Sequence, residues 1–166
     1  MKKVYLSLGS NIGDRGNYLT KATKRLNGHP EITVVQTSSV YETAAWGIKD
    51  QADFYNIAAE IGTSLMPMDL LAVCQGIETE LERTRVQPWG PRTVDIDILL
   101  YEDVELTGEF LTIPHKYLLE RSFVTIPLTE IAPDLWVKGV RISTVAKEHT
   151  RLGDRCLKTE YQIKIE

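Results

Sequence analysis

The sequence predicts an α+β fold, a ferredoxin-like β-α-β-β-α-β sandwich with extra C-terminal elements. Three observations lead there. Segments at residues 4–8, 32–41, 54–63 and 93–101 alternate or concentrate apolar and β-branched residues, as strands do. Two segments between them carry helical spacing: Leu19, Ala22 and Leu26, then Leu70, Cys74, Ile77 and Leu81. No linker, repeat or low-complexity stretch divides the 166 residues, so a single domain is expected over residues 1–166.

The first strand is Val4, Leu6 and Leu8 alternating with Tyr5 and Ser7. It runs into Gly9-Ser10-Asn11-Ile12-Gly13-Asp14, a run of turn-forming residues. A helix follows, with Asn27-Gly28 as its stop. Residues 32–41, rich in Val and Thr, read as the second strand. Thr43 to Ala52 read as a loop around Trp46-Gly47, and Phe54 to Thr63 as the third strand. Pro67 suits a first helical turn, where its missing N–H would have no partner in any case. A loop over residues 83–92 ends in the rigid turn Trp89-Gly90-Pro91-Arg92 and leads to the fourth strand. Glu102 to Leu111 suit a small hairpin, and a short helix ends near Pro133. The remainder suits one helix and a polar, strand-like tail.

Hydrophobic residues make up 43% and charged residues 25%, an ordinary composition for a chain with a buried core. The formal net charge of −4 argues against a nucleic-acid partner, for which a basic surface is expected. No apolar run reaches the ~18 residues of a membrane span. The start, Met1-Lys2-Lys3-Val4, lacks a signal-peptide pattern. A cytoplasmic protein with no membrane partner is expected, and a monomer is the default. Cys74 and Cys156 show no metal-ligand spacing, and Cys74 falls on an apolar helical face as a reduced core thiol.

Asp95 and Asp97 carry most of the chemical information. Side chains alternate along a strand, so both carboxylates project from one face while Ile96 and Ile98 point into the core. Neighbouring carboxylates repel each other and lose hydration unless something cationic lies between them. A hard divalent ion such as Mg²⁺ takes oxygen ligands of this kind. The competing reading is an acidic pair facing water. Arg83, Arg85, Arg92, His115 and Arg121 lie close by in sequence. Guanidinium donors match phosphate oxygens, so a metal-binding pair among arginines suits a polyphosphate. For Arg83 and Arg85 the simpler reading is pairing with Glu80 and Glu82 on a solvated helix end. Trp46, Phe54, Asn56, Trp89 and Phe123 form a third set, in which rings stack a flat heterocycle and an amide reads its edge. Each ring alone fits an ordinary core. The chain has no GxxxxGK[ST] loop, so any nucleotide must be held by another device.

Gly9-Ser10-Asn11, Tyr41-Glu42-Thr43, Phe54-Tyr55-Asn56, Trp89-Gly90-Pro91-Arg92-Thr93, Asp95-Ile96-Asp97 and Pro114-His115 through Arg121-Ser122-Phe123 occur in this order. That ordered set resembles the 6-hydroxymethyl-7,8-dihydropterin pyrophosphokinase family of folate biosynthesis over residues 4–135. The resemblance implies a Mg²⁺-dependent diphosphotransferase that moves pyrophosphate from ATP to the pterin's hydroxymethyl oxygen and releases AMP. By similarity, Asp95 and Asp97 hold two Mg²⁺ ions, and Arg83 and Arg92 complete the catalytic set. Gln75, Glu78, Arg85, Arg92, Ile98, Thr112, His115 and Arg121 match the ATP site. Thr43, Ala44, Trp46, Phe54, Asn56, Trp89, Asp95 and Phe123 match the pterin pocket, where Asn56 hydrogen-bonds the ring's edge. No protein nucleophile is expected, because positioning and charge neutralisation supply most of the acceleration in such transfers. The loops 44–51 and 83–92 are expected to close over the substrates and exclude water.

Several positions depart from the family pattern. Ala44 and Ala45 replace a pair that commonly contains proline, and Trp46 replaces an aliphatic residue. Phe54 lacks a tyrosine hydroxyl, and Pro88 stands where an arginine can precede the tryptophan. Phe110 and Lys116 replace residues that can touch ATP. The competing readings are a different metal-dependent phosphotransferase and a sheet that binds RNA. Phe54, Asn56 and Phe123 weigh against the first, and the negative charge weighs against the second.

Overall fold

The computed structural model describes residues 1–44, 52–82 and 93–165. Its central strand is β1 (Lys2–Ser10), which sends Val4, Leu6 and Leu8 into one core and Tyr5 into another. α1 (Arg15–Gly28) follows, its first turn capped by the Asp14 carboxylate, which accepts from Asn17 N–H at 3.1 Å. The chain returns through β2 (Ile32–Thr37), β3 (Tyr41–Thr43) and β4 (Phe54–Thr63). α2 (Pro67–Glu82) then leads towards β5 (Asp95–Tyr101). β1 lies between β4 and β5, and β2 and β3 share the other side of β4, all antiparallel. This is the expected ferredoxin-like order with its second strand divided in two.

The division traces to one side chain. Ser38 N–H donates to the Ala58 carbonyl at 2.8 Å, and Ser38 Oγ accepts from Ala58 N–H at 2.9 Å. The side chain takes the place of a backbone acceptor, so the continuous strand expected over 32–41 breaks there. Thr43, expected in a loop, is the last residue of β3 and lies opposite Phe54. The strand expected from residue 93 begins at Asp95.

Past β5, β6 (Leu106–Thr107) and β7 (Thr112–Ile113) form the expected hairpin, which runs two residues longer than the sequence suggests. A single turn of 3₁₀ helix at Leu118–Glu120 precedes α3 (Ser122–Ile131). A second hairpin, β8 (Trp136–Val137) and β9 (Val140–Arg141), was not anticipated. Its turn is Lys138-Gly139, both with positive φ, of 51° and 77°. α4 (Ile142–Arg151) and β10 (Cys156–Lys158) complete the tail, with β10 paired to β3.

The two sheet faces are covered unequally. Leu6, Leu8, Ile57, Ile61, Ile96 and Ile98 pack under Leu19, Ala22 and Leu26 of α1 and Leu70, Cys74 and Ile77 of α2. Each Leu or Ile buried there contributes roughly 1.5–3 kcal/mol. Cys74 is a free, fully buried thiol, and burial pushes its pKa up to about 12, assisted by Glu78 and Asp97. On the opposite face, Tyr5, Ala58 and Leu99 lie under Val124 and Leu128 of α3 and Ile142 of α4. No helix among the described residues is long and apolar enough to cross a membrane.

Candidate active site

On the α3 side of the sheet, strand register assembles the polar residues. Gly9 of β1 lies between Asn56 on β4 and Asp95 on β5, and Ser7 lies between Ala58 and Asp97. Thr43 on β3 lies opposite Phe54. Period-two alternation therefore lays Thr43, Asn56, Gly9 and the two carboxylates side by side on one face. They line a cavity of about 180 Å³, together with Ser7, Ala44, Phe54, Arg121 and Phe123. Arg121 and Phe123 come from the start of α3, so the helix that covers the apolar half of this face also closes the polar half.

The amide of Asn56 is fixed. Its Nδ2 donates to Thr43 Oγ1 at 2.6 Å, and both residues are buried. A Cβ on Gly9 would lie 2.6 Å from Asn56 Oδ1 and 3.4 Å from Phe54 Cδ2. Glycine thus allows the amide oxygen to lie against the backbone of β1 at the cavity floor. An acceptor on Asn56, the hydroxyl proton of Thr43 and the flanking rings of Phe54 and Phe123 make a slot for a flat heterocycle with hydrogen-bonding edges.

The acidic side is held by backbone and charge together. Ile96 N–H, between the two aspartates, donates to Glu78 Oε2 of α2 at 2.8 Å. Arg121 Nη1 lies 3.8 Å from Asp97 Oδ2, with its guanidinium 5.4 Å from the Phe123 ring centroid and 5.0 Å from that of Tyr117. Those ring faces support the cation where it opposes the carboxylate. Among the described residues, no group of three or more His, Cys, Asp or Glu side chains is placed to hold a metal ion. A carboxylate pair nonetheless fits Mg²⁺, which usually takes one or two carboxylates and completes its octahedron with water and substrate phosphate oxygens.

A second cavity, of about 260 Å³, opens on the other side of Asp97. Ile96, Ile98, Thr112, His115 and Lys116 line it, with Leu71 of α2 and residues 108–111 of the β6–β7 turn. Asp97 borders both cavities and so stands at their junction. His115 N–H donates to the Leu99 carbonyl at 2.9 Å, and its Nδ1 accepts from Tyr117 N–H at 3.2 Å. Burial lowers the His115 pKa; Arg121 and Lys116 act in the same direction and Asp97 opposes them. The neutral ring with Nδ1 accepting carries its proton on Nε2.

Of the residues matched to the pterin pocket, Thr43, Ala44, Phe54, Asn56, Asp95 and Phe123 line the first cavity. Of those matched to the ATP site, Ile98, Thr112 and His115 line the second. Arg121 lines the first cavity instead, beside Asp97. Gln75 is exposed on α2, one turn beyond Leu71, and lines neither. Trp46, Arg83, Arg85, Trp89 and Arg92 lie outside the described residues, as do most of the two loops expected to close. Glu80, read as a partner for those arginines, pairs with Arg25 of α1 at 3.1 Å. Ser7 and Gly9 also line the first cavity, beyond the residues the sequence points to. The signal that finds them is the polar phase of β1, whose register partners are the aspartates.

The family model described as 7,8-dihydro-6-hydroxymethylpterin-pyrophosphokinase matches residues 5–133. The chain is 48% identical over 139 residues to the 2-amino-4-hydroxy-6-hydroxymethyldihydropteridine pyrophosphokinase of Methylorubrum extorquens, covering 84% of this chain and 88% of that one. It is 52% identical over 127 residues to the Bacillus subtilis protein of the same name, covering 76% of each. A Plasmodium falciparum HPPK-DHPS crystal structure with pteroate superposes with a TM-score of 0.74 at 16% identity, over 90% of this chain and 42% of that chain. The chain thus spans less than half of that larger protein, and the likeness to it is one of fold. With the ordered motifs and two relatives near half identity, the chain belongs to the 7,8-dihydro-6-hydroxymethylpterin-pyrophosphokinase family.

Proposed function

We propose that this chain transfers the pyrophosphoryl group of ATP to the hydroxymethyl oxygen of 6-hydroxymethyl-7,8-dihydropterin. Asp95 and Asp97 hold two Mg²⁺ ions in this reading. The single observation that carries it is the position of Asp97, on the border between a slot for a flat ring and a second cavity beside His115 and Thr112. A transfer between two bound molecules needs a charged junction of this kind.

The first cavity takes the pterin. Asn56 Oδ1 accepts from the ring's N–H groups, and Phe54 and Phe123 supply apolar faces. The second cavity takes ATP, with Ile98 and Leu71 against the nucleoside and Thr112 and neutral His115 donating to phosphate oxygens. Arg121 adds positive charge beside the junction, and Glu78 holds the β5 backbone between the aspartates. The same reading gives further phosphate contacts to Arg83, Arg85 and Arg92, and ring contacts to Trp46 and Trp89. When bound, Mg²⁺ supplies neutralisation of phosphate charge and Lewis acidity toward the hydroxyl. The pterin oxygen bonds to the β-phosphorus as the bond from that phosphorus to the α-phosphate's bridging oxygen breaks, AMP leaves with that oxygen and the hydroxyl proton passes to solvent water. Protein nucleophiles are unnecessary; alignment and preorganised charge supply the acceleration.

Replacing Asp97 tests the junction. Asp97→Asn should lower kcat by on the order of a thousandfold, the scale of lost metal-centred charge stabilisation. Its unfolding temperature should stay close to that of the parent, because the variant removes the repulsion from Asp95 together with the 3.8 Å pair to Arg121. Near-parental turnover in the variant would contradict the assignment.

A further inference from the structure

Four charged side chains join the two stems that lead into the first cavity. Glu42 immediately precedes Thr43 on β3, and Asp53 immediately precedes Phe54 on β4. Arg15, at the start of α1, places Nη2 3.1 Å from Glu42 Oε2 and donates from Nη1 to the Asp53 carbonyl at 2.8 Å. Arg155, one residue before β10, lies 2.7 Å from Asp53 Oδ2 and 3.8 Å from Glu42 Oε1. Each arginine therefore touches both stems.

The network is partly shielded from solvent. The side chains of Arg15, Glu42 and Asp53 are 25%, 30% and 28% exposed, while that of Arg155 is 53% exposed at the outer edge. Salt and water weaken such pairs less than pairs on open surface. The two arginines are anchored independently. Arg15 stacks on the Tyr55 ring at 3.9 Å, and that ring meets Tyr161 of the tail at 6.4 Å between centroids. Arg155 is set by β10, where Cys156 pairs with Thr43 and Thr159 N–H donates to the Val40 carbonyl at 2.8 Å. Arg155 lies beyond the stretch shared with the family, so this part of the network is carried by the tail.

We propose that Arg15 and Arg155 are positioning residues for the pterin side of the site: by bridging Glu42 and Asp53 they fix Thr43 and Phe54 at the spacing the ring requires. The tail thereby becomes a component of substrate binding. The proposal rests on the pterin reading given above.

Steady-state kinetics on the full chain test it, with KM measured separately for the pterin alcohol and for ATP. Arg155→Met keeps side-chain length and removes the charge. It should raise the pterin KM about two- to fivefold, the scale of losing a half-exposed ion pair. The ATP KM and kcat should stay within about twofold, since neither stem borders the second cavity. Arg155→Lys, which keeps the charge, should recover most of the pterin KM. Arg15→Met should act in the same direction. A wild-type pterin KM in Arg155→Met would overturn the proposal. So would a parallel rise in both KM values, which marks general loosening, or a lysine variant as weak as the methionine one. A parent chain that makes no AMP from ATP and the pterin overturns the pterin reading itself, whereas an active parent with those variant results overturns this proposal alone.

Discussion

The carboxylate of Glu78 accepts from the backbone N–H of Ile96 at 2.8 Å, at the one residue between Asp95 and Asp97. In the described sheet β5 pairs on one side only, so this N–H has no strand to receive it. Helix α2 supplies the acceptor, and the aspartate-bearing backbone is held from outside the sheet. Glu78→Ala removes that acceptor at a cost of about 1–2 kcal/mol. In a chain of this size that lowers Tm by about 2–8 °C. Glu78→Gln keeps an acceptor oxygen and should lose less. A purely nucleotide-binding Glu78 would change the ATP KM and leave Tm of the ligand-free protein untouched, so thermal melts without ligand separate the two roles.

Gly9→Ala tests the floor of the ring slot. The new Cβ would meet Asn56 Oδ1 at 2.6 Å, too close to remain. Asn56 must move, and its 2.6 Å bond to Thr43 is strained or lost. The expected result is pterin affinity about tenfold weaker, the scale of one hydrogen bond, with ATP affinity unchanged. Fluorescence titration with the pterin reads this directly. Unchanged pterin affinity would show that the amide is not fixed as described.

Much of this was legible in the sequence because it depends on period. The alternation of Asp95, Ile96, Asp97 and Ile98 put the carboxylates on one face before any register was known, and the observed burial of both isoleucines agrees. The helical faces of α1 and α2 follow in the same way from Leu19, Ala22, Leu26 and Leu70, Cys74, Ile77. What escaped depends on partners distant in sequence. The break at Ser38 needs Ala58, and the strand character of Thr43 needs Phe54 and Cys156. Glu78 could be placed on a helix, but its hold on Ile96 depends on how α2 crosses the sheet. The charge network of Arg15, Glu42, Asp53 and Arg155 spans residues from both ends of the chain, and no local pattern announces it. The Lys138-Gly139 turn does carry a local signal, a glycine flanked by Trp136-Val137 and Val140.

His115 should make stability depend on pH. Burial lowers its folded pKa below the unfolded value of about 6.5. Between those two values the unfolded chain binds more protons than the folded one, so stability rises with pH across that interval. The contribution is complete above about pH 6.5 and is lost as pH falls through the folded pKa. The parent should therefore lose more Tm on acidification than His115→Gln, which has no group titrating there. Melts of both proteins across the acid range check this, and equal slopes would contradict it. At neutral pH the ring keeps its single proton on Nε2, and proton-detected NMR of the ring nitrogens should show Nδ1 unprotonated.

The central claim is a pyrophosphoryl transfer between two cavities that meet at Asp97, and the products of one reaction test it most directly. The protein is mixed with ATP, Mg²⁺ and 6-hydroxymethyl-7,8-dihydropterin, and the phosphorus species are identified by NMR. The account predicts AMP and the pterin diphosphate in equal amounts. ADP with a pterin monophosphate, or ADP with free phosphate, would contradict it.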